Sequence, residues 1–263
     1  MLGRIISNTV HAEISMIDSR RILFTGGSGL LGREFRKILP DILYPSHREF
    51  DVCNLQQMQS YLKDKDVSTM FHAAAFTSPP KVDKEPQNAI DANILGTSNV
   101  VKLCMQRGLR LIYISTDYVF KGDKGNCKED DSVHPVNKYA WSKLGGECAV
   151  QMYENSVIIR TSFGPNEFPY DKAFVDQWTS RESVSVIASM MLEVLDSDYR
   201  GVIHVGGDRK TVYEYAKKLS PSKMIGELRA SDVPFSVPKD TSLDVELYRT
   251  IFRYGQKISG KDR

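Results

Sequence analysis

The sequence predicts an α/β fold: a doubly wound parallel sheet followed by a small, shortened C-terminal lobe. Three observations carry that expectation. From Arg21 onward, short apolar runs alternate with longer amphipathic ones. The first of these runs ends in a glycine turn that opens directly into a helical pattern, and the alternation loosens after Ser162. Strands separated by helices of this length require crossover connections, which place parallel strands side by side and cover both faces of the sheet.

In order along the chain, "RILFT" (21–25) reads as a buried strand and "GLLGREFRKIL" (29–39) as the helix after the glycine turn. "DILYPS" is a second strand and "NLQQMQSYLKD" a second helix; "STMFHAAA" is a third strand, followed by a long helix near 86–107. "LRLIYIST" is a fourth strand, a helix carries Tyr139 and Lys143, and "NSVIIRTS" is a fifth strand. Residues 21–162 therefore form the expected main domain. Beyond it, "FGPNEFPYDKAF" packs two prolines and four aromatics into twelve residues, as a loop over a ligand site would. A helix near 183–196, a strand "GVIHVGG" and a helix from Thr211 complete a lobe spanning 163–263, which lends elements back to the main sheet.

Composition bounds the function. A chain of 263 residues is long enough to bury a core without staples. Its 35 basic and 33 acidic residues leave a net charge of +2, which gives no reason to expect nucleic acid or a membrane surface as partner. Cys53, Cys104, Cys127 and Cys148 are scattered without CxxC spacing, so free thiols in a reducing, cytoplasmic setting are expected, with neither a disulfide frame nor a metal site. No apolar run approaches the ~20 residues that span a bilayer. Residues 1–20 read as an extension ahead of the fold, and Asn8, His11 and Glu13 interrupt any signal-peptide core.

The chemistry begins at "TGGSGLLG". Gly26, Gly29 and Gly32 sit at GxxGxxG spacing directly after the first strand and open the helix, with Ser28, Leu30 and Leu31 among them. A tight turn alone would explain them. So would a phosphate cradle, in which missing side chains let backbone N–H groups and the helix N-terminus meet a pyrophosphate, as in Rossmann-type dinucleotide sites. After the second strand, "SHREFD" offers Arg48 before any acid. An arginine there can pair with a 2′-phosphate and favours NADP over NAD, while the plain alternative is a solvated surface side chain. Asp51 and Val52 are expected to flank the adenine. Ala73, Ala74 and Ala75 permit close approach of a flat ligand, or form a packing seam. Asn93, Gly96 and Thr97 fall inside the long helix, where a glycine points to close helix packing.

Tyr139 and Lys143, four residues apart in "NKYAWSKLGGE", could decorate a helix surface or form a proton-donating pair. Together "TGGSGLLG", "HAAAFT", "NILGTSNVV", "ISTDYVFKG" and "YAWSK" occur in an order that resembles the extended short-chain dehydrogenase/reductases, and within them the dTDP-4-dehydrorhamnose reductase group. The resemblance covers 21–162 well and the remainder weakly.

It implies NADPH-dependent reduction of the 4-keto group of a nucleotide-linked 6-deoxyhexose. Tyr139 would act as general acid, with its pKa lowered by Lys143, and Lys143 would also bind the nicotinamide ribose. Thr116 would hydrogen-bond the substrate carbonyl, and Ser115 would belong to the cofactor wall. Thr77, Asp117, Tyr118, Phe163 and Trp178 would shape the substrate side, although Asp117 could instead cap the turn that follows it. Arg181 is a further candidate for diphosphate pairing. A homodimer is compatible with the resemblance.

Three departures bear on the lobe. Phe163 stands where the group commonly has tryptophan, the segment before "DQ" is cut short, and "SPPKVDKEP" replaces acidic residues that some members use in magnesium-assisted dimerisation. Two alternatives stay open. One is an epimerase-reductase, which would add a Cys/His pair of the kind Cys127 and His134 could supply. The other is a non-catalytic dinucleotide-binding regulatory subunit, as this fold provides for methionine adenosyltransferase.

Overall fold

A computed structural model describes residues 18–233 and 237–252. Most of the expected N-terminal extension, residues 1–17, lies outside the described residues. After a 3₁₀ turn at Ser19–Arg21 come β1 (Ile22–Thr25), every residue of which is buried, and α1 (Leu30–Ile38). α2 (Leu55–Leu62) starts at Asn54, whose side chain accepts from the Gln57 N–H at 3.0 Å. That capping contact satisfies one of the helix's unpaired donors. β2 (Thr69–His72) follows.

The expected long helix near 86–107 is broken. Pro79 opens α3 (Pro79–Lys84) and Pro86 opens α4 (Pro86–Ala89), each in the first-turn position where a missing N–H costs nothing. A π-helical stretch, Ile90–Gly96, then leads into α5 (Thr97–Arg107). Next come β3 (Arg110–Ile114), a 3₁₀ turn at Asp117–Val119, α6 (Lys138–Val150) and β4 (Ser156–Thr161). Asn137 caps α6 by accepting from the Ala140 N–H at 2.8 Å.

Short strands β5 (Phe163–Gly164), β6 (Lys172–Phe174), β7 (Trp178–Thr179) and β8 (Glu182–Ser183) lead to α7 (Val184–Leu195). β9 (Gly201–Val205) precedes β10 (Lys210–Thr211), α8 (Val212–Leu219), β11 (Gly226–Leu228) and α9 (Glu246–Ile251). The main sheet runs β1-β2-β3-β4-β9, all neighbours parallel. β9, the "GVIHVGG" strand, thus returns to this sheet beyond the irregular segment.

The expected second strand is reduced to one bridge. Leu43 lies beside Leu23, accepting from the Phe24 N–H at 2.8 Å and donating to Ile22 O at 3.0 Å. It occupies the sheet edge, and Pro45, with no N–H to donate, cannot extend the ladder. The chain therefore steps from β1 outward to Leu43 and then back across β1 to β2. Reversals of this kind open a crevice at the C-terminal ends of the strands.

Apolar layers cover both faces of the sheet. On one, Phe24, Phe35 and Phe71 pack with Ile112, Ile159 and the inner side of α7. The rings of Phe24 and Phe71 stack with centroids 4.7 Å apart. On the other, Leu23, Met70, Leu111 and Ile158 meet α2, α5 and Val150 of α6. Fully burying side chains of this size stabilises the fold by roughly 1.5–3 kcal/mol each.

Candidate active site

A cleft of about 1080 Å³ opens at the strand ends where the chain order reverses. Gly26, Gly27, Ser28, Gly29, Leu30, Leu31 and Gly32 form one wall. Gly26 has φ +79°, and a Cβ there would lie 2.8 Å from Ala74 N and 2.9 Å from Ala73 C. A Cβ on Gly32 would lie 2.5 Å from Gly27 Cα. The turn can therefore pack this tightly only with glycine, and it leaves the backbone at the start of α1 bordering the cleft. Ala73, Ala74, Ala75 and Thr77 line the next wall.

Behind the turn, Thr25 Oγ1 accepts from the Ala74 N–H at 3.1 Å and contacts His72 Nδ1 at 2.8 Å. His72 Nε2 in turn contacts Thr97 Oγ1 at 3.1 Å. Burial, with a smaller contribution from the Lys143 charge, pushes His72 down to about 3, so the ring is a neutral spacer tying β1, β2 and α5 together.

The adenosine end differs from expectation. Arg48 is exposed and outside the cleft lining. Arg36 of α1 lines it instead, with its guanidinium 4.2 Å above the Tyr44 ring and donating to Gly27 O at 3.4 Å and Tyr44 O at 3.3 Å. Asp51 is also outside the lining. Its carboxylate accepts from the Cys53 N–H at 2.9 Å, folding a local turn rather than facing a ligand. Val52 does line the cleft, and a Cβ on Gly96 would lie 2.7 Å from its Cγ2, which is the close packing that keeps Gly96 small.

Tyr139, Lys143, Thr116, Ser115, Asp117, Tyr118 and Phe163 all reach the same cleft. The π-helical stretch helps to place them. Asn93 is buried within it; its Oδ1 accepts from the Phe76 N–H at 2.7 Å, and its Nδ2 donates to Phe76 O at 2.9 Å and Ser142 Oγ at 2.8 Å. Ser142 Oγ donates to Tyr139 O at 2.7 Å, so the loop after β2 and the first turn of α6 form one unit. π insertions commonly aim side chains in this way. Gly146 allows the approach of α6, because a Cβ there would lie 2.4 Å from the Tyr113 hydroxyl and 2.8 Å from Asn93 O.

The electrostatics correct one expectation. Tyr139 is raised rather than lowered: desolvation lifts it above the ordinary phenol value, the Asp117 charge raises it further, and Thr116 pulls the other way. Lys143 is 3% exposed, and burial pushes its ammonium down to about 7, partly offset by Glu147. Its Nζ lies 4.1 Å over the Tyr113 ring. Glu147 is itself clamped by Arg160, with Nη2 2.9 Å from Oε2 and Nε 3.2 Å from Oε1.

At the floor of the cleft, the hydroxyls of Ser115 and Thr161 are buried without a hydrogen-bond partner among the described residues. Arg181 also lines the cleft, donating from Nε to Ser162 Oγ at 3.1 Å. Trp178 does not reach it. β7 pairs with β10, and the Trp178 ring lies 3.8 Å beneath the Arg209 guanidinium, so this side chain is part of the scaffold. Cys127 is buried away from the cleft, and His134 is exposed and also outside its lining. The two residues are therefore not brought together in it as an acid–base pair. Among the described residues, no group of three or more His, Cys, Asp or Glu could hold a metal ion, and no helix is long and apolar enough to cross a membrane.

The model of the RmlD substrate binding domain matches residues 20–233. The chain belongs to that family. Methionine adenosyltransferase 2 subunit beta of Rattus norvegicus is 27% identical over 95% of this chain and 90% of its own length. dTDP-4-dehydrorhamnose reductase of Aggregatibacter actinomycetemcomitans is 31% identical over 65% of this chain and 61% of its own. Among solved structures, a hypothetical dTDP-4-dehydrorhamnose reductase from Sulfolobus tokodaii superimposes with a TM-score of 0.77, at 30% identity over 89% of this chain and 95% of that one. The Bacillus anthracis enzyme of that name, in complex with NADP, gives 0.78 at 24% identity over 91% and 96%. RmlD family membership thus agrees with the doubly wound parallel sheet and with the order of motifs.

Proposed function

We propose that this chain binds NADPH and reduces the 4-keto group of a nucleotide-linked 6-deoxyhexose. The observation that carries the reading is one cleft in which a glycine cradle, two unpartnered hydroxyls and the Tyr139–Lys143 pair converge. The residues present fit a dinucleotide. The glycine turn suits the pyrophosphate, Arg36 offers a guanidinium for a 2′-phosphate, Ser115 and Thr161 offer hydroxyls to the nicotinamide end, and Lys143 is available to the adjoining ribose. NADP in the Bacillus anthracis relative supports the choice of cofactor. NAD remains the competing cofactor.

When bound, the nicotinamide supplies the hydride. The ketone oxygen then gains negative charge, and Tyr139 gives it a proton as general acid. A phenol raised by burial holds that proton until the alkoxide, a far stronger base, forms beside it. Low solvent access strengthens each contact the developing charge makes. Phe163 and Tyr118 present flat faces to the sugar side, and Arg181 presents a cation suited to a diphosphate.

The deciding experiment is NADPH oxidation measured against a panel of dTDP- and UDP-linked 4-keto-6-deoxysugars. Turnover with one member supports the reading, and no oxidation across the panel rejects it. A second reading, a dinucleotide-binding regulatory subunit, is favoured by the likeness to methionine adenosyltransferase 2 subunit beta along 95% of this chain. That reading expects NADPH to bind tightly and never be consumed.

A further inference from the structure

Residues 239–245 form a strap near the end of the described chain, buried at 240–243 and 245 and far in sequence from the motifs that build the cleft. Asp240, Thr241 and Ser242 are at most 4% exposed. The strap is stitched on both sides. Asp240 N donates to Gly122 O at 2.8 Å, Cys127 N to Ser242 O at 3.0 Å, and Asp244 N to Cys127 O at 2.8 Å. On the other side, Trp178 N donates to Lys239 O at 2.9 Å, and Leu243 N donates to Ser180 Oγ at 3.2 Å. Arg209 binds Asp240 Oδ2 at 2.8 Å, so even the Trp178–Arg209 stack serves to seat this segment.

One side chain of the strap points at the chemistry. Thr241 Oγ1 donates to Asp117 Oδ2 at 2.7 Å. The other carboxylate oxygen, Oδ1, accepts from Thr116 Oγ1 at 3.1 Å. Thr116 Oγ1 accepts in turn from the Tyr118 N–H at 3.2 Å, and Thr116 and Tyr139 line the same cleft. A threonine hydroxyl has one proton and two lone pairs. With its proton turned to Asp117 Oδ1, Thr116 can meet Tyr139 only as an acceptor, which aims the phenol's own proton. Whichever way Asp117 turns, Thr116 follows.

We propose that Thr241 is a positioning residue for the candidate catalytic centre. By occupying Asp117 Oδ2 it fixes the carboxylate, which sets the direction of the Thr116 hydroxyl beside Tyr139. The groups facing Asp117 are Thr116 and Tyr118 from its own turn, Tyr139 from α6, Arg181 from the segment after β7, and Thr241 from the strap. The proposal rests on the reductase reading for its kinetic consequence, but the coupling itself is readable without turnover.

The test compares Thr241→Val, Thr241→Ser and wild type in two measurements. The first follows the Asp117 carboxyl by carbon-detected NMR across pH, with Asp117→Asn assigning the signal. Loss of the Thr241 donor removes a contact that favours the charged form, so Thr241→Val should titrate at higher pH while Thr241→Ser stays near wild type. The second is steady-state reduction on the substrate panel. Thr241→Val should lower kcat by roughly ten- to a hundred-fold, the worth of one hydrogen bond to a charged group, with KM for NADPH unchanged and the acidic limb of the kcat profile moved up. Thr241→Ser should restore most of the rate. An unshifted Asp117 in Thr241→Val overturns the proposal, and so does a Thr241→Ser protein as slow as Thr241→Val at equal melting temperature. A shifted carboxyl with no turnover even in wild type supports the Thr241–Asp117 coupling and rejects the reductase reading instead.

Discussion

The ammonium of Lys143 rests 4.1 Å above the ring of Tyr113, one helical turn from Tyr139. A cation over an aromatic face is held by the ring quadrupole, which partly replaces the water it has lost. That replacement is incomplete: burial still pushes Lys143 down to about 7 from 10.5. Burying the ammonium therefore works against stability wherever it is charged.

The sign of its contribution follows. Between about pH 7 and 10.5 the unfolded chain binds more protons at this lysine than the folded chain does, so its burial penalty is full below pH 7 and is relieved as pH rises through that window. Lys143→Met should therefore melt higher than wild type at pH 6, and the gap should narrow toward pH 10. NADPH affinity should fall in the same variant. Thermal melts at several pH values, with and without NADPH, check both statements.

Tyr139→Phe removes only the phenolic oxygen and leaves the half-buried ring in place. Turnover should drop by about 10²–10⁴-fold, the usual worth of a positioned general acid, while NADPH affinity changes little. Stopped-time assays and dinucleotide titration by fluorescence separate these effects.

Arg36 and Arg48 divide the cofactor question. Arg36→Ala should weaken NADPH more than NADH, because its guanidinium borders the cleft. Arg48→Ala should leave both affinities within about two-fold, as expected for an exposed side chain that contributes little. Equal losses of both dinucleotides on Arg36→Ala would remove that residue from 2′-phosphate recognition.

Gly32→Ala tests the cradle. The added methyl would meet Gly27 Cα at 2.5 Å and Gly26 O at 2.6 Å, backbone atoms that cannot swing aside. Destabilisation of about 1–3 kcal/mol is expected from overpacking, and the gain in melting temperature on adding NADPH should disappear.

Acid should weaken the fold in a defined range. His72, pushed down to about 3 by burial, binds fewer protons folded than unfolded between about pH 3 and 6.5, so stability falls as pH drops through that window. His72→Gln should flatten the slope of chemical stability against pH there, whatever its effect on stability at neutral pH. An unchanged slope would place the acid sensitivity elsewhere.

Much of this protein was open to reading from residue order alone. The strand and helix sequence, the glycine turn after β1 and the four-residue spacing of Tyr139 and Lys143 are local properties. Each follows from a periodicity or a backbone preference within about a dozen residues. Thr116, Ser115 and the alanines after β2 could be placed likewise, since parallel strands put their C-terminal ends on one edge. An apolar run carries no sign of how many neighbours it will find, so "DILYPS" reads as a strand although only Leu43 bridges, and a π insertion has no distinctive composition, so the stretch near 86–107 reads as one helix.

What remained was decided in three dimensions. Arg36 and Arg48 differ little as sequence, but one borders the cleft beside Gly27 and the other faces solvent. Trp178 looks like a ligand platform until Arg209 and the strap are seen around it. Thr241 meets Asp117 across 124 residues of chain. A side chain's partner at that separation depends on how the sheet, strap and loops pack together, and no local pattern encodes it. The residue order determined which groups the strands deliver to one edge; only packing decided which of them touch, which are desolvated, and in which direction their protons point.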